Sequence, residues 1–285
     1  MEPLWTPDAP DTIVHGDNLA AAALLPDASF RLVYLDPPFN TGRPQRHRRL
    51  RTVRAEGGAA DRVGFGGRGY ATEAGEETRY DDRFADYAGF LEPRLREARR
   101  LLDPEGTLYL HLDYREAHYA KVALDRIFGR ESFLNELIWA YDYGAKAQRR
   151  WPAKHDTILV YVKDPRRYRF DNAAVDREPY MAPGLVTPEK AERGKLPTDV
   201  WWHTIVGTNA HERTGYPTQK PEGVLRRIVQ ASSAPGDWVL DLFGGSGTTG
   251  AVARALGRRF LLVDESPDAV AVMRRRLPEA RVVPV

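Results

Sequence analysis

The sequence contains no cysteine. That excludes a disulfide framework, thiolate-bound zinc or iron–sulfur clusters, and a cysteine nucleophile. No apolar run approaches the ~18 residues a membrane helix requires. The first residues, Met1-Glu2-Pro3-Leu4-Trp5, lack the basic and apolar regions of a signal peptide. No membrane association is therefore expected, and the expected setting is the cytoplasm. His111, His155 and His211 lack metal-ligand spacing, so no metal site is expected either.

What remains is ordinary in amount and uneven in arrangement. A chain of 285 residues can form one large α/β domain or two modest ones. The formal net charge is only +2, yet Arg43 to Gly69 carries eight arginines against Glu56 and Asp61, a net of +6 that leaves −4 for the rest. A basic segment on a mildly acidic body suits contact with a polyanion. This stretch, 43–79, is rich in Gly, Arg and Glu without an apolar period, and reads as a long mobile loop.

Strand and helix signals alternate along the remainder. Thr12–His15 is a short apolar run ending in a turn, and Leu19–Leu25 is a helix stopped by Pro26. Arg31–Leu35 reads as a buried strand. Apolar positions from Phe84 to Leu102 fit a helical face, and Asp103–Gly106 reads as a turn before the strand Thr107–Leu112. His118–Phe128 reads as a helix with Tyr119, Val122, Ala123 and Ile127 on one side. Two strands follow at Glu136–Ala140 and Thr157–Val162. Periodicity then lapses over 163–215, the candidate for a small inserted lobe, whose tryptophans Trp201 and Trp202 are expected in a core. It returns with helix Pro221–Ser233, strand Trp238–Leu242, helix Thr249–Leu256, strand Phe260–Val263 and helix Asp268–Leu277. The alternation predicts a doubly wound, mainly parallel α/β sheet, with ligands at the carboxyl ends of its strands.

Three turns carry chemistry. Asp241-Leu242-Phe243-Gly244-Gly245-Ser246-Gly247-Thr248-Thr249 joins a strand to a helix, and its glycines allow a ligand close to the backbone. It is neither a P-loop nor a nucleophile elbow, and it misses the dinucleotide fingerprint. Asp264 ends the next strand, where an acidic residue commonly holds ribose hydroxyls. The pair indicates a nucleoside-bearing cofactor with little phosphate. Asp36-Pro37-Pro38-Phe39 places a carboxylate and a proline carbonyl at a strand end, a purely accepting corner suited to an exocyclic amine. Phe39 can stack on a flat ring. Pro217-Thr218-Gln219-Lys220-Pro221 holds a lysine before a helix.

In this order, Asp36–Phe39 early and Asp241–Thr249 late, the chain resembles the β subgroup of S-adenosylmethionine-dependent amino-methyltransferases of DNA. The resemblance extends over His15–Asn18, Ile127–Gly129, Asn135–Trp139, Lys154–Asp156 and Tyr216–Pro221. It implies a seven-stranded, Rossmann-like methyltransferase sheet formed by 1–42, 80–162 and 216–285, with 163–215 as a target-recognition lobe. It implies that Asp241, Phe243, Gly244, Gly245, Ser246, Gly247 and Thr248 line the cofactor pocket and that Asp264 takes the ribose. Asp17 and Asn18 would lie near the adenine, and Lys220 near the methionine end. Asp36, Pro37, Pro38 and Phe39 would form the catalytic corner on a base flipped out of the duplex. In this family an Asp in the motif goes with adenine N6 and a Ser with cytosine N4, so N6 is expected, with N4 as the alternative. The missing cysteine argues against methylation at cytosine C5. Phosphate contacts are expected from Arg43, Arg46, Arg48 and Arg49, and from Lys146, Arg149, Arg150 and Lys154. The implied partners are double-stranded DNA, a second copy of the chain and a cognate restriction endonuclease, in a nucleoid-associated setting. Rivals are an RNA or protein-glutamine methyltransferase, most of which place the Pro-Pro corner after the glycine motif, and a non-catalytic binding module.

Overall fold

The fold is given by a computed structural model. It describes residues 3–42, 82–144 and 146–285, and within 43–81 only the backbone of three strands. In chain order the elements are β1 (Thr12–His15), α1 (Asn18–Ala23), β2 (Phe30–Leu35), β3 (Gln45–Arg54), β4 (Arg62–Val63), β5 (Gly69–Tyr80), α2 (Tyr87–Leu101), β6 (Leu102–Leu112), α3 (Ala117–Phe128), β7 (Phe133–Ala140), β8 (His155–Val162), α4 (Pro188–Arg193), β9 (Val200–Trp202), α5 (Glu222–Ser232), β10 (Trp238–Asp241), α6 (Thr248–Ala255), β11 (Arg259–Asp264), α7 (Pro267–Arg276) and β12 (Arg281–Pro284).

The main sheet has the order β12-β1-β11-β10-β2-β6-β8-β7-β9. Only β8 runs against its neighbours. The expected seven strands are the central ones, and the short strands β12 and β9 widen the sheet to nine at its two edges. Strand β2 shows why the sheet is covered on both faces. Val33 and Leu35 pack with α1, α2 and α3, while Leu32 and Tyr34 pack with α5, α6 and α7. Successive side chains of a strand point to opposite faces, so an uninterrupted apolar run demands a helical layer on each side.

Several expectations are corrected. The turn at Asp103–Gly106 is a bulge within β6: the register passes from Phe30↔Leu102 directly to Leu32↔Thr107. On α3 the buried face is Ala117, Ala120, Ala123, Leu124 and Phe128, whereas Tyr119 and Val122 face solvent. The spacing of Leu124 and Phe128 sets that face, and Tyr119 falls off it. Trp201 is buried in the core of the main sheet, and Trp202 is exposed. The segment 163–215 thus supplies β9 as an edge strand of the main sheet, with α4 outside it. The stretch expected as a loop at 43–79 contains β3, β4 and β5, paired as a separate antiparallel sheet in the order β3-β5-β4. Strand pairing runs through the backbone and needs no apolar period. The side chains of Arg43, Arg46, Arg48 and Arg49 lie outside the described residues. Among the described residues no helix is long and apolar enough to cross a membrane.

Candidate active site

Strands β2 and β10 are direct neighbours, with Tyr34 opposite Asp241. The acidic corner that follows β2 and the glycine turn that follows β10 therefore emerge side by side, although about 200 residues separate them in the chain. This is the carboxyl edge of a parallel sheet, where such folds bind ligands.

The corner Asp36–Phe39 is fixed from several directions. Pro37 is buried, and the Tyr87 hydroxyl donates to the Pro38 carbonyl at 2.7 Å. Asn40 adopts a left-handed conformation, φ 54°, which Asn tolerates better than most residues. Its backbone N–H donates to Asp82 at 2.7 Å, and its side-chain amide donates to Glu116 at 2.7 Å. The chain thus turns sharply behind Phe39 and cannot relax the corner.

Behind Phe39 lies a buried polar relay. The His111 ring is tilted 33° to Phe39 with centroids 5.8 Å apart. Its Nδ1 meets the Tyr34 hydroxyl at 2.7 Å and its Nε2 meets Asp156 at 3.2 Å. Tyr141 donates to the other Asp156 oxygen at 3.0 Å. Burial opposes ionisation of Asp156, but the hydrogen bond from His111 and the nearby cations outweigh it, and its carboxyl sits below the ordinary value. Burial pushes the Tyr34 hydroxyl well up. Both ring nitrogens of a fully buried histidine are therefore satisfied, which locks the ring supporting Phe39.

Lys220, expected at the methionine end of the cofactor, donates instead to both Asp36 oxygens, at 2.7 and 2.5 Å, with its ammonium 4.9 Å from the Phe39 ring centre. A carboxylate offers about four acceptor positions. The lysine fills two and orients the group, leaving acceptor capacity for an amine.

The glycine turn is braced from below. Asp241 accepts from the Phe243 N–H at 2.9 Å and from the Thr249 hydroxyl at 2.6 Å. Burial pushes its carboxyl up to about 7, against those two hydrogen bonds, with a smaller upward contribution from Asp36 and Asp264. Arg276 donates to the Ser246 carbonyl and the Thr248 hydroxyl, and that hydroxyl donates to the Lys220 carbonyl. The lysine and the glycine turn are thereby one unit. Gly245 has φ +50°, and a Cβ on Gly244 would lie 2.8 Å from the Met273 sulfur, so larger residues would be strained at either position.

A cleft of about 1070 Å³, open to solvent, joins these parts. Asp17, Asn18, Asp36, Pro37, Pro38, Phe39, Lys220, Asp241, Phe243, Gly244, Gly245, Ser246, Thr248 and Asp264 all line it, as expected from the sequence. Gly247 does not: with φ +72° it turns the chain over Met273 and starts α6. The Asp264 carboxyl, pushed up by burial, accepts from the Gly245 and Ser266 backbone N–H groups. Asn18 donates to the Leu242 carbonyl and accepts from Arg94. Sequence reading missed Arg94 and Phe90, which stack with the guanidinium 3.9 Å above the ring and line the cleft one helical turn apart. It also missed Tyr216 and Glu265. Glu265 was findable as the neighbour of Asp264. Phe90 and Arg94 lie beside the buried face of α2, and no pattern marks them. Carboxylates at one end, an apolar middle and an amine-accepting corner at the other suit a nucleoside-bearing sulfonium beside a flat base, so the residues present fit S-adenosylmethionine.

Comparison with known proteins agrees. A family model for N6/N4 DNA methylases matches residues 30–275. The chain belongs to the N6/N4 DNA methylase family. It is 32% identical over 277 residues to the DNA adenine methyltransferase YhdJ of Escherichia coli K12, covering 94% of this chain and 83% of that one. It is 28% identical to the type II methyltransferase M.HpaI of Haemophilus parainfluenzae, over 93% of this chain and 73% of that one. Among solved structures, the cytosine-N4-specific PvuII DNA methyltransferase shares the fold with a TM-score of 0.60 at 14% identity, covering 96% of this chain and 95% of that one. A DNA modification methylase of Thermus thermophilus, complexed with S-adenosyl-L-methionine, does so with a TM-score of 0.57 at 20% identity, covering 96% and 99%. This N6/N4 DNA methylase is thus an S-adenosylmethionine-dependent DNA methyltransferase.

Among the exposed cations at this edge, Lys146, Arg149 and Arg150 are solvent-facing, and Lys154 pairs with Asp142 at 3.3 Å.

Proposed function

We propose that this methyltransferase acts on the exocyclic N6 of adenine in double-stranded DNA. The observation that carries the reading is Asp36 at the end of β2, oriented by Lys220 and followed by Phe39 on its histidine support. Bound S-adenosylmethionine supplies an electrophilic sulfonium methyl. The chain does the rest by position and electrostatics. An aromatic amine is a weak nucleophile because its lone pair is delocalised into the ring. Asp36 and the Pro37 carbonyl accept its two N–H bonds, which favours a pyramidal nitrogen with an available lone pair. Phe39 stacks on the extruded base and excludes water from one face. Lys220 holds the Asp36 carboxylate in place. Asp264 and Glu265 take the ribose end of the cofactor, and Asp17 and Asn18 the adenine end.

The name of the E. coli relative supports adenine, as does Asp rather than Ser at the head of the corner. Phosphate contacts come from the arginine-rich segment 43–79 and from Lys146, Arg149, Arg150 and Lys154, with 163–215 as the target-reading segment. A homodimer, a cognate restriction endonuclease and a cytoplasmic, nucleoid-associated setting complete the proposal.

The test is nucleoside mass spectrometry of unmethylated mixed-sequence DNA incubated with the protein and isotope-labelled S-adenosylmethionine, with the modified sites then mapped by sequencing. Labelled N6-methyladenine is expected. Labelled N4-methylcytosine would overturn the base assigned and keep the enzyme class.

A further inference from the structure

Extruding a base leaves a hole in the duplex, and the protein must deal with it. Unstacking costs a few kcal/mol, and enzymes and architectural proteins offset such costs by inserting a flat or apolar side chain into the stack. The active-site cleft has no residue for this task, because Phe39 faces the extruded base itself. The residue must stand outside the cleft, project into solvent, and sit at the same edge of the sheet among phosphate-binding cations.

The segment joining β7 to β8 meets each condition. Strand β7 ends at Ala140, and antiparallel β8 begins at His155, with Thr157 opposite Leu112 at the end of β6. The connection 141–154 therefore emerges at the carboxyl edge that also carries Asp36. Two to three strand spacings of ~4.8 Å place its roots roughly 10 to 14 Å from β2. Those roots are held firmly: the Tyr141 N–H donates to the Lys154 carbonyl at 3.0 Å, and the Tyr141 hydroxyl donates to Asp156, the end of the relay that supports Phe39. The connection carries Lys146, Arg149, Arg150 and Lys154 against one carboxylate, Asp142.

Its tip presents Trp151, 94% exposed. An indole this exposed gains nothing from the fold, and its neighbours, two arginines and a proline, give it a charged and stiff setting. Trp202, at the end of β9, is 73% exposed at the same edge, where it lies opposite Ala140. Solvated aromatic rings among arginines and lysines are the combination that stacks on bases while the cations hold the phosphates.

We propose that Trp151 is the wedge of this enzyme: it enters the duplex as the target nucleotide leaves and occupies the vacated position, with Arg149 and Arg150 on the flanking phosphates. The proposal rests on the reading of the protein as a methyltransferase of duplex DNA. It predicts that Trp151 contributes to turnover only when a base has to be removed from an intact stack.

The experiment compares wild type, Trp151→Ala and Trp151→Phe on two duplexes containing the mapped target site. In one the target base is paired, and in the other it lies opposite an abasic position, so that little pairing has to be broken. A base–aromatic stack is worth about 1–3 kcal/mol, so Trp151→Ala is expected to lower kcat/KM on the paired duplex by about 5- to 100-fold. On the abasic duplex the loss should shrink to about threefold or less, and Trp151→Phe should lose less than Trp151→Ala on the paired duplex. Affinity for S-adenosylmethionine, measured by calorimetry, should be unchanged. Equal losses on both duplexes would reduce Trp151 to a general DNA or structural contact and overturn the proposal, as would no loss on either. If the wild-type protein methylates neither duplex, the underlying functional reading has failed rather than the wedge.

Discussion

Asp241 offers a direct test of how the cofactor turn is built. It is buried below the turn, accepts from the Phe243 N–H and the Thr249 hydroxyl, and has its carboxyl pushed from 3.8 up to about 7, chiefly by burial. Below about pH 4 the group is protonated in folded and unfolded chains alike and costs nothing. Between about pH 4 and about pH 7 the unfolded chain ionises while the folded one stays protonated. The unfolded state then binds fewer protons, so this group makes stability fall as pH rises through that window. Above about pH 7 both states are ionised, and the loss is complete. Asp241→Asn removes the ionisation and preserves the shape: its carbonyl still accepts from Phe243, and its amide can donate to the Thr249 oxygen. Any cost of the altered hydrogen bonds does not depend on pH. The stability of the variant minus that of the wild type should therefore rise with pH. One pKa unit corresponds to about 1.36 kcal/mol, so the two units between pH 5 and pH 7 give a rise of up to about 2.7 kcal/mol. Urea unfolding at pH 5, 6, 7 and 8, followed by tryptophan fluorescence with a common m value, measures it. A difference that stays flat across this range would refute the picture of a carboxyl held protonated by burial.

Other consequences follow from the corner and the arm. Asp36→Ala should lower turnover at least about a hundredfold, the scale of a lost preorganised electrostatic contact, while calorimetry shows retained cofactor binding; retained turnover would remove Asp36 from catalysis. His111→Leu leaves the Tyr34 hydroxyl and one Asp156 oxygen buried without their partner, at about 3 kcal/mol in thermal or chemical unfolding, and His111→Gln should recover much of it. Equal stability of the two variants would count against the relay. Neutralising Arg46, Arg48, Arg49 and Arg51 should weaken DNA binding and reduce the slope of log K against log salt by as much as about 3 to 4. An unchanged slope would remove the arm from the phosphate contacts.

The amino-acid sequence by itself determined the doubly wound alternation, the places where strands stop, and the residue types waiting at those ends. These are local matters: Pro37 and Pro38 cannot continue a ladder whatever surrounds them, and the glycines of 244–247 permit a turn that other residues resist. It did not determine the strand content of 43–79, because backbone pairing there leaves no apolar period, nor the solvent-facing side of α3, where Tyr119 and Val122 mimic a core stripe. Tertiary structure decided which ends meet. Hydrogen bonding of β2 to β10 sets Asp36 beside Asp241, and closure of the cleft carries Lys220 onto Asp36 rather than leaving it at the helix start where the sequence shows it. It also placed His111, 75 residues beyond Asp36 in the chain, behind Phe39, and turned Arg94 from an unremarked helix residue into a wall of the cofactor cleft. Such pairings join residues far apart in the chain through sheet order, and sheet order is a property of the folded whole.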